Sequence, residues 1–412
     1  MRSFLRNCQP MLTLPLALAL AAAPHDTARA PAPPAAQEGP AITVHHQQAI
    51  PVVALRLSIL ADDPPGYSGA GHLFQHLLLP GLEDQAARVG GHVTVVRGSD
   101  AIVYQVVGPA TELDYLAGIL RSTLRVPTPA GAELLSALSA LAEERSAERE
   151  TAPQYVRAAL RARLFPTEVP AAGTEGAAAR LAGAPLDRLW SAIYRPERVQ
   201  VVAVGDVQLD AVRRAFRTLP GTPSAEAPEA VADTVPALEA DTPQATRAWI
   251  GSAWAAADVE PAAVSVTARL LRNTLRRRMT RSQVEVEHWW THQGQALALV
   301  VATPDSLAPA ARRTVEGALT TLAAAVTDAG VRGAAASVRR DMLFYARAPD
   351  RMAELLGEFA DRDTGPDAAQ RYFAALEAVT ADDVRGVLDR LRVGEPAKVY
   401  VPPQRIPAAQ RR

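Results

Sequence analysis

Two histidines four residues apart, in the run His72-Leu73-Phe74-Gln75-His76, constrain this chain more than any other feature. At that spacing two side chains share one face of an α-helix, where a pair of imidazoles can hold one metal ion. Tyr67-Ser68-Gly69-Ala70-Gly71 precedes the run, and Leu77-Leu78-Leu79-Pro80-Gly81 follows it. Both flanks are rich in small or apolar residues, which favours a helix packed closely against its surroundings. A bare His-x-x-x-His spacing also occurs on ordinary polar helix faces, so the spacing alone does not define a metal site.

The 412 residues exceed what one ordinary core accommodates and predict two domains. A net charge of −1 argues against a nucleic-acid binder, which usually shows a strongly basic face. At the N-terminus, Arg2 and Arg6 precede an apolar run from residue 11 to 23, with small residues at Ala19 and Ala21. This is the pattern of a secretory signal peptide over residues 1–21, cleaved after Ala19-Leu20-Ala21. The apolar run is shorter than the roughly 20 residues of a membrane span, and no later segment is long and apolar enough to be one. The single cysteine, Cys8, lies ahead of the apolar run, so the exported chain carries neither disulfide nor thiol nucleophile. The expectation is an exported protein, periplasmic or extracellular, with no membrane span once the signal is removed.

Residues 22–40 form a Pro/Ala-rich leader. A strand pair over 42–46 and 52–60 follows, then the His72 helix and a hairpin of 92–96 with 101–107. Helices are predicted over 112–124, 130–149 and 154–164, an apolar strand over 199–204, and a helix over 209–218. Residues 221–246, dense in Pro, Ala, Glu and Thr without sustained period, read as a linker. The second half restarts with a strand at 247–254, a helix at 261–278, and a hairpin of 284–290 with 295–303. Helices near 307–328 and 334–346 come next, then one opened by the capping box Thr380-Ala381-Asp382-Asp383, then a strand at 399–401. The expected fold class is α+β: two similar domains, 41–220 and 247–403, each a mixed, mostly antiparallel sheet backed by helices, with a tail at 404–412.

The stretch Gly69 to Gly81 resembles the pitrilysin/insulinase family of inverted-motif zinc metallopeptidases. Tyr194-Arg195-Pro196-Glu197-Arg198-Val199-Gln200-Val201-Val202-Ala203-Val204-Gly205-Asp206-Val207 is similar to that family's tyrosine-x-proline stretch, buried strand and Gly-Asp. Val379-Thr380-Ala381-Asp382-Asp383-Val384 is also family-like. The likeness spans about residues 41 to 403 and is stronger in the first half. It implies a two-domain chain forming half of a clam-shell, and a zinc ion on His72, His76 and a glutamate from a later helix. Counted at the family's usual separation, that third ligand falls on Pro153; counted from Gly90-Gly91 it falls on Glu144, with Glu143 the alternative.

At the position of the family's general base this chain has Gln75. A carboxylate there takes a proton from metal-bound water; an amide has nearly the same shape and cannot. The loss of general-base help removes about 10²–10⁴ in rate. A second departure lies in Leu275-Arg276-Arg277-Arg278-Met279-Thr280-Arg281-Ser282-Gln283-Val284-Glu285. The family carries a substrate-holding arginine and tyrosine in that region; here Glu285 falls nearest the tyrosine. The resemblance therefore implies a catalytically impaired zinc-binding subunit that encloses peptide or unfolded polypeptide with a homologous active subunit, or as a homodimer. The alternatives are an active zinc metalloendopeptidase with an unconventional base, and a metal-free peptide-binding scaffold. Adjacent His45 and His46 point to opposite faces of a strand and cannot chelate together.

Overall fold

A computed structural model describes residues 40–404, apart from 49, 99, 222–242 and 363–366. The predicted signal peptide, nearly all of the leader, most of the linker and nearly all of the tail lie outside the described residues. The first half runs β1 (Ala41–His46), β2 (Val52–Ile59), α1 (Ala70–Ala87), β3 (His92–Arg97), β4 (Ile102–Pro109), α2 (Leu113–Ser122), α3 (Gly131–Glu150), α4 (Ala152–Leu164), α5 (Glu175–Leu181), α6 (Leu186–Ile193), β5 (Val199–Gly205) and α7 (Leu209–Ala215). The second runs β6 (Ala248–Ala255), α8 (Pro261–Arg278), β7 (Gln283–Thr291), β8 (Gly294–Thr303), α9 (Ala308–Glu316), α10 (Ala318–Ala325), α11 (Asp328–Tyr345), α12 (Pro349–Arg362), α13 (Ala368–Ala378), α14 (Ala381–Val393) and β9 (Ala397–Val401). No helix among the described residues is long and apolar enough to cross a membrane.

The fold is α+β, with two helix-backed sheets. The first has the order β1-β5-β2-β4-β3, the second β7-β8-β6-β9. Two expectations change here. β1 does not pair with β2; the apolar strand β5 lies between them, parallel to β1 and antiparallel to β2. Periodicity identifies a strand but not its neighbour, and β5, with both faces buried, belongs inside a sheet. The second sheet is antiparallel throughout rather than mixed.

The predicted helix at 307–328 is two helices, with Gly317 between α9 and α10. Helices α5, α6, α12 and α13 were not anticipated. In α12 the apolar residues Met352, Ala353, Leu355, Leu356, Phe359 and Ala360 recur at helical spacing, a signal present in the sequence. Helix α1 continues through Pro80, which lacks the N–H that would bond the His76 carbonyl.

Each half lends a helix to the other's sheet. On β2, Val53, Leu55, Leu57 and Ile59 enter the first core, which includes Leu73 and Phe74 of α1. Ala54, with Val202 and Val204 of β5, joins Met352, Leu355 and Phe359 of α12 in the second core. Reciprocally, Tyr155, Val156 and Leu160 of α4 pack with Ala253, Ala298, Val300 and Val401 of the second sheet. The two sheets are thus joined by burial on their outer faces, and the halves cannot separate without exposing both exchanged helices to water.

Candidate metal centre

Helix α1 carries His72, Gln75 and His76, and its position is set from both ends. At its start the Asp63 carboxylate accepts from the Gly69 and Gly71 backbone N–H groups, each at 2.8 Å. This satisfies donors that every helix N-terminus leaves open and places negative charge at the positive end of the helix dipole. Gly69 has φ +87°, a left-handed conformation that a side chain would strain. Along the helix, Phe74 meets Trp190 and Tyr194 edge-to-face, while Trp190 and Tyr194 stack 3.6 Å apart. Tyr194 and Tyr104 share a hydrogen bond of 2.6 Å, and burial pushes both phenols above their ordinary pKa, keeping them neutral. Tyr194, singled out in the sequence, is therefore a packing residue that seats α1.

On the opposite face of α1 the two imidazoles lie side by side, ring centroids 4.8 Å apart. Helix α3 brings Glu144 to them: Oε2 lies 3.1 Å from His72 Nε2, and Oε1 lies 3.5 Å from His76 Nε2. His72, His76 and Glu144 each offer a ligand atom within 4.8 Å of the others. The two neighbouring imidazoles, His72 first, hold the Glu144 carboxyl well below the usual range. Glu143, the alternative, is exposed, and Pro153 sits in the first turn of α4 and has no ligand atom.

These residues fit a zinc ion. Ligand bonds of about 2.0–2.2 Å at a tetrahedral centre set donor atoms about 3.3–3.6 Å apart, and the observed nitrogen–oxygen separations, 3.1 Å to Oε2 and 3.5 Å to Oε1, lie close to that range. His76 Nε2 is sealed from solvent with no hydrogen-bond partner among the described residues, as a ligand atom aimed at a cation would be. His72 Nδ1 also lacks a partner among the described residues, where a ligating imidazole usually donates to an acceptor that orients it.

Gln75 does not face this cradle with a free amide. Its Nε2 donates to the carbonyls of Val96 at 3.0 Å and Val103 at 3.1 Å, a cross-strand pair of β3 and β4. The reversed amide would set Oε1 against both carbonyl oxygens, so hydrogen bonding dictates its orientation. Oε1 itself is buried without a partner. At the position where the inverted motif carries its base, this chain uses a donor to tie α1 to the hairpin.

Second-half residues in and just after the 275–285 stretch are also engaged. Glu285 and Glu287 on β7 bind Arg157 of α4, Glu287 at 2.7 Å, so both acids tether the exchanged helix. Arg276 donates its Nε to the Val284 carbonyl at 3.2 Å. Trp289 is buried against α4, and Trp290 packs with Phe359 and Tyr372. Sequence reasoning missed Arg157, whose acids lie about 130 residues away, and Asp63, whose partners are backbone N–H groups six and eight residues on and so carry no side-chain signal.

No protein-family model matches the sequence, and no curated protein matches it. Solved structures do match. A peptidase M16 inactive domain from Pseudomonas fluorescens aligns with a TM-score of 0.72 at 14% identity, covering 89% of this chain and 96% of that one. A protease from Helicobacter pylori aligns with a TM-score of 0.71 at 15% identity, covering 87% and 97%. A putative M16-like peptidase from Alicyclobacillus acidocaldarius aligns with a TM-score of 0.72 at 12% identity, covering 89% and 97%. This chain therefore shares their fold over nearly its whole described length.

Proposed function

We propose that this chain is an exported, catalytically impaired, zinc-binding member of the pitrilysin/insulinase (M16) family. In this reading it forms half of a clam-shell that encloses peptide or unfolded polypeptide together with an active homologous subunit. One observation carries the reading: two imidazoles and Glu144 converge, while the general-base position holds an amide committed to the Val96 and Val103 carbonyls. A zinc ion in the cradle would polarise a carbonyl as a Lewis acid. His72, His76 and Glu144 would hold it. Gln75 has no lone pair basic enough to take a proton from water, and its two N–H groups are already used. Glu285, nearest the family's substrate-holding tyrosine, is bound to Arg157. The fold shared with an M16 inactive domain supports the same reading.

The experiment is metal analysis of the purified chain combined with cleavage of an unfolded peptide. Stoichiometric zinc, lost in His72→Ala and His76→Ala, with no chelator-sensitive cleavage by the chain alone, is the expected result. Chelator-sensitive turnover by the wild-type chain would establish an active peptidase instead. Failure to bind zinc would leave a metal-free scaffold, in which the histidine–Glu144 contacts are an ion-paired network.

A further inference from the structure

The second half contains a cavity of about 60 Å³ between α8, β7, α11 and α13, lined by Ser265, Arg269, Arg272, His288, Met342 and Tyr372 among others. In element order, α8, β7 and α11 correspond to α1, β3 and α3, which build the metal cradle in the first half. No metal-ligating cluster forms here among the described residues. The cavity is instead cationic.

Its charges can be counted. Arg269 is neutralised by Asp341 at 2.5 Å and also donates to Ser337 at 2.6 Å. Arg272, one turn along α8, has no ion-pair partner among the described residues, and its Nε is sealed from solvent without a hydrogen bond. Burial, then the neighbouring Arg269 and Arg276 charges, push the Arg272 guanidinium below its ordinary pKa, against the weaker opposing pull of Asp341.

His288 adds no charge. Gln295 Nε2 donates to the Val259 carbonyl, so its Oε1 faces His288 Nε2 as an acceptor at 2.9 Å. That places the imidazole proton on Nε2 and leaves Nδ1 to accept from the Ser265 hydroxyl at 2.9 Å. Ser265 Oγ in turn accepts from Tyr372 at 2.8 Å. The chain of hydrogen bonds has one direction, and burial lowers His288 to about 4, so the ring is neutral at physiological pH. One uncompensated positive charge remains.

We infer that this cavity binds a small oxyanion, a carboxylate or phosphate group, through the guanidinium of Arg272. A half-buried arginine without a carboxylate is costly unless an anion completes it, and the planar fork matches two oxygens of such a group. The volume, several times the ~10–15 Å³ that one water needs, suits the head group. The site is separate from Arg276, which is exposed and bonded to the backbone of β7.

The test is calorimetric titration of the full chain with inorganic phosphate and, separately, with acetate. Saturable 1:1 binding of one probe is expected, and the probe that binds identifies the source as phosphate or carboxylate. Arg272→Met should weaken it by about tenfold or more, as loss of a charged hydrogen bond predicts, while Arg276→Met, which removes only a neighbouring charge, weakens it less. If Arg272→Met does not fold, Arg272→Lys keeps the charge without the fork and should weaken binding while retaining it. Binding of neither probe, equal binding by the Arg272 variants and the wild type, or equal weakening by Arg276→Met would overturn the assignment.

Discussion

Arg56 of β2 and Asp361 of α12 form an ion pair at 2.6 Å with both side chains almost wholly buried. The two residues come from opposite halves of the chain. Arg56 also donates to Ser58 at 2.6 Å, and it lies against Gly357, where an added Cβ would fall 2.2 Å from Nη1. The helix is thus shaped to receive the arginine. Arg157 with Glu285 and Glu287 performs the reciprocal task for α4.

Removing one partner of that buried pair should destabilise the protein strongly, because the other charge is left desolvated. Asp361→Asn is expected to cost about 3 kcal/mol in urea unfolding. The double change Arg56→Met with Asp361→Leu should cost less than Asp361→Asn alone. A double variant worse than the single would show that the pair does not act through desolvation.

Zinc content should depend on Glu144 and be indifferent to its neighbour. Glu144→Ala is expected to lower zinc affinity by roughly 100-fold or more, above the range for loss of a group that only orients a ligand. Glu143→Ala, at an exposed position, should match the wild type. Elemental analysis after dialysis against a competing chelator reads both.

Gln75→Glu should not behave as a simple restoration. The new carboxyl would lose two donated hydrogen bonds and face the Val96 and Val103 carbonyl oxygens. A cost of about 1–3 kcal/mol follows at neutral pH. Repulsion raises the folded-state pKa above the unfolded value, so the stability of the variant is greatest below the unfolded pKa and is lost as pH rises through the folded one. Thermal melts between acidic and neutral pH, compared with wild type, test the sign; a variant relatively more stable at neutral pH contradicts it.

His288 predicts an acid limb. Its folded pKa of about 4 lies below the ordinary 6.5. Between those values the unfolded chain binds a proton that the folded chain does not, so stability falls as pH drops through that window. His288→Gln should flatten this part of the urea-midpoint profile. Parallel profiles for the two proteins would assign the acid sensitivity elsewhere.

Much of the architecture is legible in the residues because its causes are local. The helical run of α8, the all-apolar β5 and the Thr380–Asp383 capping box each state their conformation within a few positions. The pairing of His72 with His76 is equally local, since helix geometry alone puts both on one face. Glu144 reached its place in the reading through resemblance and counting, as nothing near residue 144 announces a partner on α1.

By itself the sequence determined the order of the strands, the α+β class, the shared face of the two histidines and the substitution of an amide at position 75, all consequences of spacing and side-chain chemistry. Tertiary structure alone decided that β5 separates β1 from β2 and that α4 and α12 exchange sheets. It also decided that the Gln75 amide is spent on two strand carbonyls. Those outcomes depend on which surfaces distant in the chain bury one another and which buried polar atoms find partners, and neither has a period that the chain can display.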